Sequence, residues 1–460
     1  MKKISAILLM FLPVFLAGQE LPQYVDNSIN KYFPPIINQN GGSCAQASSI
    51  GYVFTYEMNR HLDRDASIPA NRFSYQFIWN LVNDGIDQGG FAEDGLFVAM
   101  RSGAMTEEDF STLSLYHFSW PSGFEKYHTA LSYRVSDFVE MPTDVDVLKA
   151  YLAGSDGKPG CIVSFSGCCR GWKMDNYYSG PSGTGYKSLV TSLPTDGAHA
   201  MTIAGYDDLV SYTDADGVTH NGAFIVVNSW GTGTHDRGRF YYPYDFFRDS
   251  SVPNQILSDD AITAKVIYRE PRILFKLELD YTSRNDLAYN IGATDVVTAG
   301  SPENYYLQTG MSNKGGDHYM RGTYDREPLE FALDLTDHIP SSDPDYCRYF
   351  LKIVRTARGK EKGEGKLNSL SVIDYRSGKP VEHKYRGKLP CALVDGENWF
   401  TIGLVPRFNI SCSPVRLPGT TPDSGAAGSP IYVRTASGHK AQVELTGTGV
   451  VRKLKYSVTK

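Results

Sequence analysis

A helical pattern early in the chain gives way to strand patterns after Cys161, and that order limits the fold more than any other feature. Ala47, Ile50, Phe54 and Met58 recur at helical spacing, with Gly51 and Thr55 on the adjoining positions. A helix is therefore expected to begin at or just after Cys44, with Ser43 at its N-cap. The spacing predicts further helices over residues 75–82 and 93–102, separated by the turn-rich Asp87-Gln88-Gly89-Gly90. Residues 200–204 and 224–227 read as buried strands joined by a polar, Gly-containing stretch at 207–222. Helices first and antiparallel strands second predict an α+β domain, residues 19–269, with a cleft between its two halves. From about Glu270 the pattern is all strand and turn, with the best strand candidates at 273–279, 329–335, 348–354 and 370–374. That spacing predicts an all-β, sandwich-like C-terminal region over 270–460. Residues 417–430 are rich in Pro, Gly, Thr and Ser and read as a linker or long loop. The stretch after Ile431 is too short to fold alone and is expected to complete the sandwich.

Lys2 and Lys3 precede an apolar stretch from Ile4 to Leu16, followed by the small Ala17 and Gly18. This stretch is too short and wrongly flanked for a membrane span and reads as a signal peptide over residues 1–18. No Cys follows it, which argues against a lipid anchor. No later stretch approaches the roughly 20 apolar residues of a spanning helix. The expected product is exported: secreted, periplasmic or at the cell surface. Across 460 residues the net charge is only −6 with both signs interspersed, which steers the chain toward neither nucleic acid nor an anionic membrane. Seven cysteines, an odd number, leave at least one thiol free if all pairing is internal. Cys44 is the natural candidate. Cys347, Cys391 and Cys412 are able to supply one disulfide among themselves, and the adjacent Cys168 and Cys169 are structural or unpaired. Between Gly18 and Gln39 there is no room for a folded prosegment of ordinary domain size.

The chemistry is carried by Cys44, His199 and Asn228, in that order along the chain. A free thiol is mostly protonated at neutral pH, and a helix N-terminus beside an imidazole favours its thiolate. Cys44 has the helix start, His199 opens one strand-like run, and Asn228 closes another. An asparagine carbonyl is able to fix the tautomer and orientation of the imidazole. The Gln39 side-chain amide and the Cys44 backbone N–H are the expected donors to an oxyanion.

Four segments resemble the papain family of cysteine peptidases, of an exported bacterial type with a β-rich C-terminal extension. Pro35-Ile36-Ile37-Asn38-Gln39 through Cys44 resembles its nucleophile loop, and Asp87-Gln88-Gly89-Gly90 its substrate-binding Gly-Gly segment. His199-Ala200-Met201-Thr202-Ile203-Ala204-Gly205-Tyr206-Asp207 resembles the histidine strand. Val226-Val227-Asn228-Ser229-Trp230-Gly231 resembles the asparagine motif, whose Trp covers the His–Asn hydrogen bond. Leu21-Pro22-Gln23-Tyr24-Val25-Asp26 resembles a mature N-terminus. The resemblance spans about residues 20–265. It implies a papain-like fold with Cys44, His199 and Asn228 catalytic, Gln39 at the oxyanion, Trp230 supporting, and Gly89 and Gly90 binding substrate backbone. There are departures: Gly41 stands where the family has a disulfide-bonded Cys, Ala45 where it has Trp, and Gln39 lies one residue nearer the nucleophile.

Each reading has a plainer rival. An isolated Cys is usually buried and inert, a strand-end His usually structural, and a Gly-Gly pair often only a tight turn. The trio and its settings together outweigh these for Cys44 and His199. Asp214-Ala215-Asp216-Gly217 resembles the start of a calcium loop but lacks the later carboxylates, and reads as a hairpin tip. No HExxH or Cys/His spacing indicates a metal, and no cofactor is expected. The sequence thus predicts an exported cysteine peptidase acting on peptides or proteins through a thioacyl-enzyme. The alternatives are a catalytically impaired relative that binds peptide or glycan, and a transpeptidase that passes the acyl group to an amine. The C-terminal region is expected to bind a protein or glycan partner, or to stabilise the first domain.

Overall fold

The computed structural model describes residues 21–403 except 112–115, 156, 178–184, 215, 249–255, 258–259, 297–298, 341–346 and 359–362. It also describes the strands Ile431–Arg434, Lys440–Leu445 and Val451–Lys455. The expected signal peptide, the 417–430 linker and Cys412 lie outside these residues. The chain divides into two compact units, Met1–Gly403 and Leu404–Lys460. The three last strands pair with one another in an antiparallel sheet.

The expected first helix starts at Cys44 and runs to Leu62, but it is α-helical only at its ends. Between Cys44–Gln46 and Thr55–Leu62 lies an eight-residue π-helical stretch, Ala47–Phe54, buried at every position. The spacing of Ala47, Ile50, Phe54 and Met58 reads as helix either way, and the wider turn is invisible to a count of period. Ser43 occupies the N-cap position but makes no side-chain cap bond; its hydroxyl instead donates to the Asn40 carbonyl, 2.6 Å away. Helix Tyr75–Val82 is capped by Ser74, whose hydroxyl accepts from the Phe77 N–H at 3.2 Å. Helix Ala92–Ser102 follows the Gly-rich turn. Helices Phe124–Ser132 and Val145–Ala153, which the sequence reading passed over, are short; Asp144 caps the second.

A nine-stranded sheet forms the other half. From one edge it runs Tyr133–Pro142, Asp260–Tyr268, Val163–Cys168, Ala198–Thr213, Thr219–Val227, Arg239–Pro243, Ser188–Ser192 and Lys173–Asn176. Tyr24–Asp26 adds to strand Ala198–Thr213, with Asp26 opposite Gly205. The polar 207–222 stretch is mostly strand: it extends a hairpin that turns only at Asp214, whose N–H donates to the Val218 carbonyl at 2.9 Å. Phe224 and Val226 enter one core with Met201, Ile203 and Phe240. Ala223 and Ile225 enter a second cluster with Leu189, Val210 and Tyr241. Both faces are covered, which is why this run reads as continuously apolar rather than alternating. The residues that follow its last strand position are therefore held at the edge of a rigid layer.

Residues 273–403 are β-rich, as expected. One antiparallel sheet orders Leu329–Asp334, Ile273–Tyr281, Gly365–Asp374 and Val381–Lys384, with Cys391–Ala392 also on Gly365–Asp374. The other orders Tyr306–Leu307, Leu287–Thr294, Arg348–Arg355 and Gly396–Gly403. Phe331 of the first meets Tyr289 of the second edge-on, ring centroids 5.4 Å apart. The expected seam at Arg269 is heavily bonded. Arg284, 1% exposed, stacks over Trp120 at 4.2 Å and donates to the carbonyls of Phe118 and Gly315. Arg134 pairs with Asp334, and Glu330 accepts from the Phe124 N–H at 2.8 Å. Among the described residues no helix is long and apolar enough to cross a membrane. Among the described residues Cys44, Cys161, Cys169, Cys347 and Cys391 form no disulfide.

Candidate functional site

Strands Ala198–Thr213 and Thr219–Val227 are paired with Thr202 opposite Val227, so Asn228, one residue beyond its strand, arrives beside His199. The His199 Nε2 lies 2.8 Å from Asn228 Oδ1. Trp230 stacks on the His199 ring, centroids 4.5 Å apart and planes 22° from parallel. His199 is 4% exposed and Asn228 fully buried, so this bond is shielded from water. Burial lowers the basicity of His199, and the bond to Asn228 opposes that effect.

The orientation of the Asn228 amide is fixed by its surroundings. The Ser229 backbone N–H, necessarily a donor, lies 2.8 Å from Asn228 Oδ1. The oxygen therefore faces Ser229 and His199, which makes His199 Nε2 a donor and leaves Nδ1 as the nitrogen able to exchange a proton. On its other side Asn228 Nδ2 lies 2.9 Å from Nε2 of His235. From below, the Tyr52 hydroxyl donates to the Asn228 carbonyl at 2.9 Å while accepting from the Ile37 N–H at 2.8 Å. One π-helical tyrosine thus ties the asparagine motif to the loop leading into Cys44.

Cys44 opens its helix half-buried, and among the described residues its thiol makes no hydrogen bond. It is placed by packing: the first helical turn lies against strand Ala198–Thr213. One turn on, the Ser48 hydroxyl donates to the Met201 carbonyl at 2.8 Å and sits 2.7 Å from Thr202 Oγ1. This pins the helix in register with the strand that carries His199. Cys169, next to Cys168 on the neighbouring strand's end, is near enough to feel a charge on Cys44. Burial first and that charge second push its thiol up to about 11.

Gln39 is tied into the same structure at both ends of its amide. Its backbone N–H donates to the Ser229 carbonyl at 2.7 Å, and its Oε1 accepts from the Ser229 hydroxyl at 2.5 Å. Its Nε2 donates to the Gly41 carbonyl at 2.8 Å, so one amide hydrogen is used within the loop and the other remains. Gly41 has φ +49°, and a Cβ there would meet the Asp87 carboxylate at 2.2 Å; one at Gly42 would meet the Gln88 carbonyl carbon at 2.7 Å. Only glycines allow this approach. Asp87 holds the loop by accepting from the Gly42 N–H at 2.7 Å. Gly89 and Gly90 are exposed beside it, and a Cβ on Gly89 would meet nothing within 4 Å. Open space therefore faces that segment.

His199, Asn228, Trp230 and Gln39 are joined by contacts or through Ser229, Cys44 by packing, and Gly89 and Gly90 through the Gly42 approach. Sequence reasoning missed His235, Ser229, Tyr52 and the part played by Asp87. Ser229 and Asp87 stand inside segments already singled out, but a polar residue in a loop carries no sign of its partner. His235 lies seven residues beyond Asn228 with only small residues and Trp230 between, a spacing that permits a return contact without requiring it.

No protein-family model matches this chain, and no curated protein sequence does. Among solved structures it is similar to xylellain, a cysteine protease from Xylella fastidiosa, at 22% identity over 54% of this chain and 87% of that one, with a TM-score of 0.38. It is similar to the bromelain protease from Ananas comosus in complex with the E64 inhibitor at 17% identity over 53% and 99%, with a TM-score of 0.37. It is also similar to digestive procathepsin L 3 of Tenebrio molitor larval midgut, at 16% identity over 54% and 71% with a TM-score of 0.37.

Proposed function

We propose that this chain is an exported, papain-like cysteine peptidase. The observation that carries the proposal is the buried 2.8 Å bond from His199 to Asn228 under Trp230, on the strand against which the Cys44 helix packs. A shielded, oriented imidazole, with a partly exposed thiol at the start of the helix packed on its strand, is the arrangement a thiol nucleophile needs. In the proposed cycle His199 Nδ1 takes the Cys44 proton, and the thiolate attacks the scissile carbonyl. The tetrahedral oxyanion is held by the Cys44 N–H and the remaining Gln39 amide hydrogen. Collapse expels the amine, which receives its proton from His199, and leaves a thioester on Cys44. Water, deprotonated by His199, then attacks the thioester; its collapse releases the carboxylic acid and restores the thiol. Gly89 and Gly90 offer backbone to an extended peptide beside the open cleft.

One observation favours the rival reading, a binding protein without turnover: the Gln39 amide already donates to Gly41, so it stabilises an oxyanion only through its second hydrogen. Intact mass after exposure to an epoxysuccinyl thiol probe separates the two. The peptidase reading expects rapid single labelling that is absent in Cys44→Ala. A reduced, folded protein that stays unlabelled would overturn it.

A further inference from the structure

His235 has no part in the cycle above, yet it contacts the Asn228 amide on which the cycle depends. It sits at φ +54°, an uncommon conformation for a residue with a side chain. Its ring is enclosed by Trp172, Trp230 and Phe240, at centroid distances of 5.6, 6.1 and 4.7 Å. Among the described residues its polar contact is Asn228 Nδ2, 2.9 Å from Nε2.

The donors and acceptors here admit one assignment. The Ser229 N–H fixes Asn228 Oδ1, so Nδ2 presents hydrogens to His235 and Nε2 must accept. The His235 proton then resides on Nδ1, and the ring must be neutral. An imidazolium would set N–H against N–H. Relief by turning the Asn228 amide would present donors to His199 Nε2–H and to the Ser229 N–H together, and both would lose their acceptor. We infer that His235 is a positioning residue that latches the Asn228 amide with its oxygen toward His199, and that the latch opens when His235 takes up a proton. The inference rests on the peptidase reading for its kinetic consequences but not for its geometry.

The surroundings keep the latch closed. Burial pushes the basicity of His235 down to about 4, and charge on His199 acts in the same direction. When His199 carries the proton during turnover, protonation of its neighbour is further opposed. The other titratable groups on the enclosing elements are Cys168, Cys169, Arg170, Lys173 and Asp175 around Trp172, Asp236, Arg237 and Arg239 along the chain, and Tyr241 and Tyr242 after Phe240. Asp236 accepts from the Lys187 N–H and pairs with Arg237, and Arg239 donates to Ser28. His199 is the group whose charge reaches the ring.

Two variants separate latching from filling. His235→Phe keeps an aromatic ring between Trp172 and Phe240 but cannot accept; His235→Gln places an acceptor that does not titrate. The latch expects His235→Phe to lose about tenfold in kcat at neutral pH with KM unchanged, and His235→Gln to recover most of it. It also expects the acid limb of kcat to show a second, lower protonation step in the parent that His235→Gln lacks. Nitrogen NMR of the imidazoles, which needs no activity, should place the His235 proton on Nδ1 at pH 7. Equal kcat profiles for His235→Phe and parent, or a proton on Nε2, would overturn the latch. A parent protein with no turnover but with the Nδ1 tautomer would sink the peptidase reading and leave the latch standing.

Discussion

The two walls of the candidate site are built by different means. The His199–Asn228 wall is sheet: its residues end paired strands whose neighbours fill two cores, and its central hydrogen bond is buried. The Gln39–Cys44 wall is a half-exposed glycine loop with no regular structure until Cys44, held by other elements: Ser229, Asp87 and Tyr75, with Tyr52 holding Ile37 just before it. Asp87 stands on a turn that the β-rich region in turn braces, through His318 Nε2, 3.0 Å from the Gly85 carbonyl. The sheet wall supplies its own precision, whereas the loop wall borrows it from residues up to the far half of the unit. Positioning on a layer tolerates change nearby; positioning by borrowed bonds fails when any lender is removed.

The largest effect tests whether the two walls form a catalytic pair at all. Cys44→Ala should lower peptide hydrolysis by on the order of 10⁵-fold with an unchanged melting temperature; residual turnover near the parent's would remove Cys44 from the chemistry. Gly42→Ala strikes the loop wall alone, because its Cβ collides with backbone at Gln88 that cannot swing aside. A rate loss of roughly 10²–10³ is expected from displaced oxyanion donors, with the His199–Asn228 bond intact by NMR. Parent-like kinetics there would show that the loop needs no such accuracy. Ser229→Ala cuts one of the bonds linking the walls, from its hydroxyl to Gln39 Oε1, and leaves the backbone bond between them; a loss of up to about tenfold, in kcat rather than KM, is the expected reading. A pure KM effect would instead assign Gln39 to substrate binding.

The smallest effect concerns stability. His235 is held well below the usual histidine value of 6.5, at about 4, so the unfolded chain binds its proton first as the pH falls. Its contribution is complete above pH 6.5 and is lost progressively as the pH drops through about 4. His235→Gln should therefore flatten the fall in melting temperature between pH 6.5 and 4. An unchanged slope would mean that other groups govern acid unfolding.

Much of the site was legible because its residues stand at changes of pattern. Cys44 precedes the first apolar residue of a helical period, and His199 and Asn228 bracket strands whose runs are apolar on both faces. The π-helical turn was not legible, since Ala47, Ile50 and Phe54 keep a spacing that an α-helix would also show. Nor was the extent of the first unit: residues 270–460 read as a separate β-region, yet within 270–403 Arg284, Glu330 and Asp334 bond to the helical half. A buried Arg that satisfies itself on carbonyls looks, in sequence, like any charged loop residue.

By itself, then, the sequence determined the order of helices and strands and the residues that stand at their ends, because period and turn chemistry are local properties. What only the tertiary structure decided is which polar group each of those residues meets. The Asn228 amide has its orientation from Ser229 and His235, and the Gly41-Gly42 loop has its shape from Asp87. Hydrogen bonds are short-ranged and directional, so partners distant in the chain leave no trace in its pattern until the layers are packed.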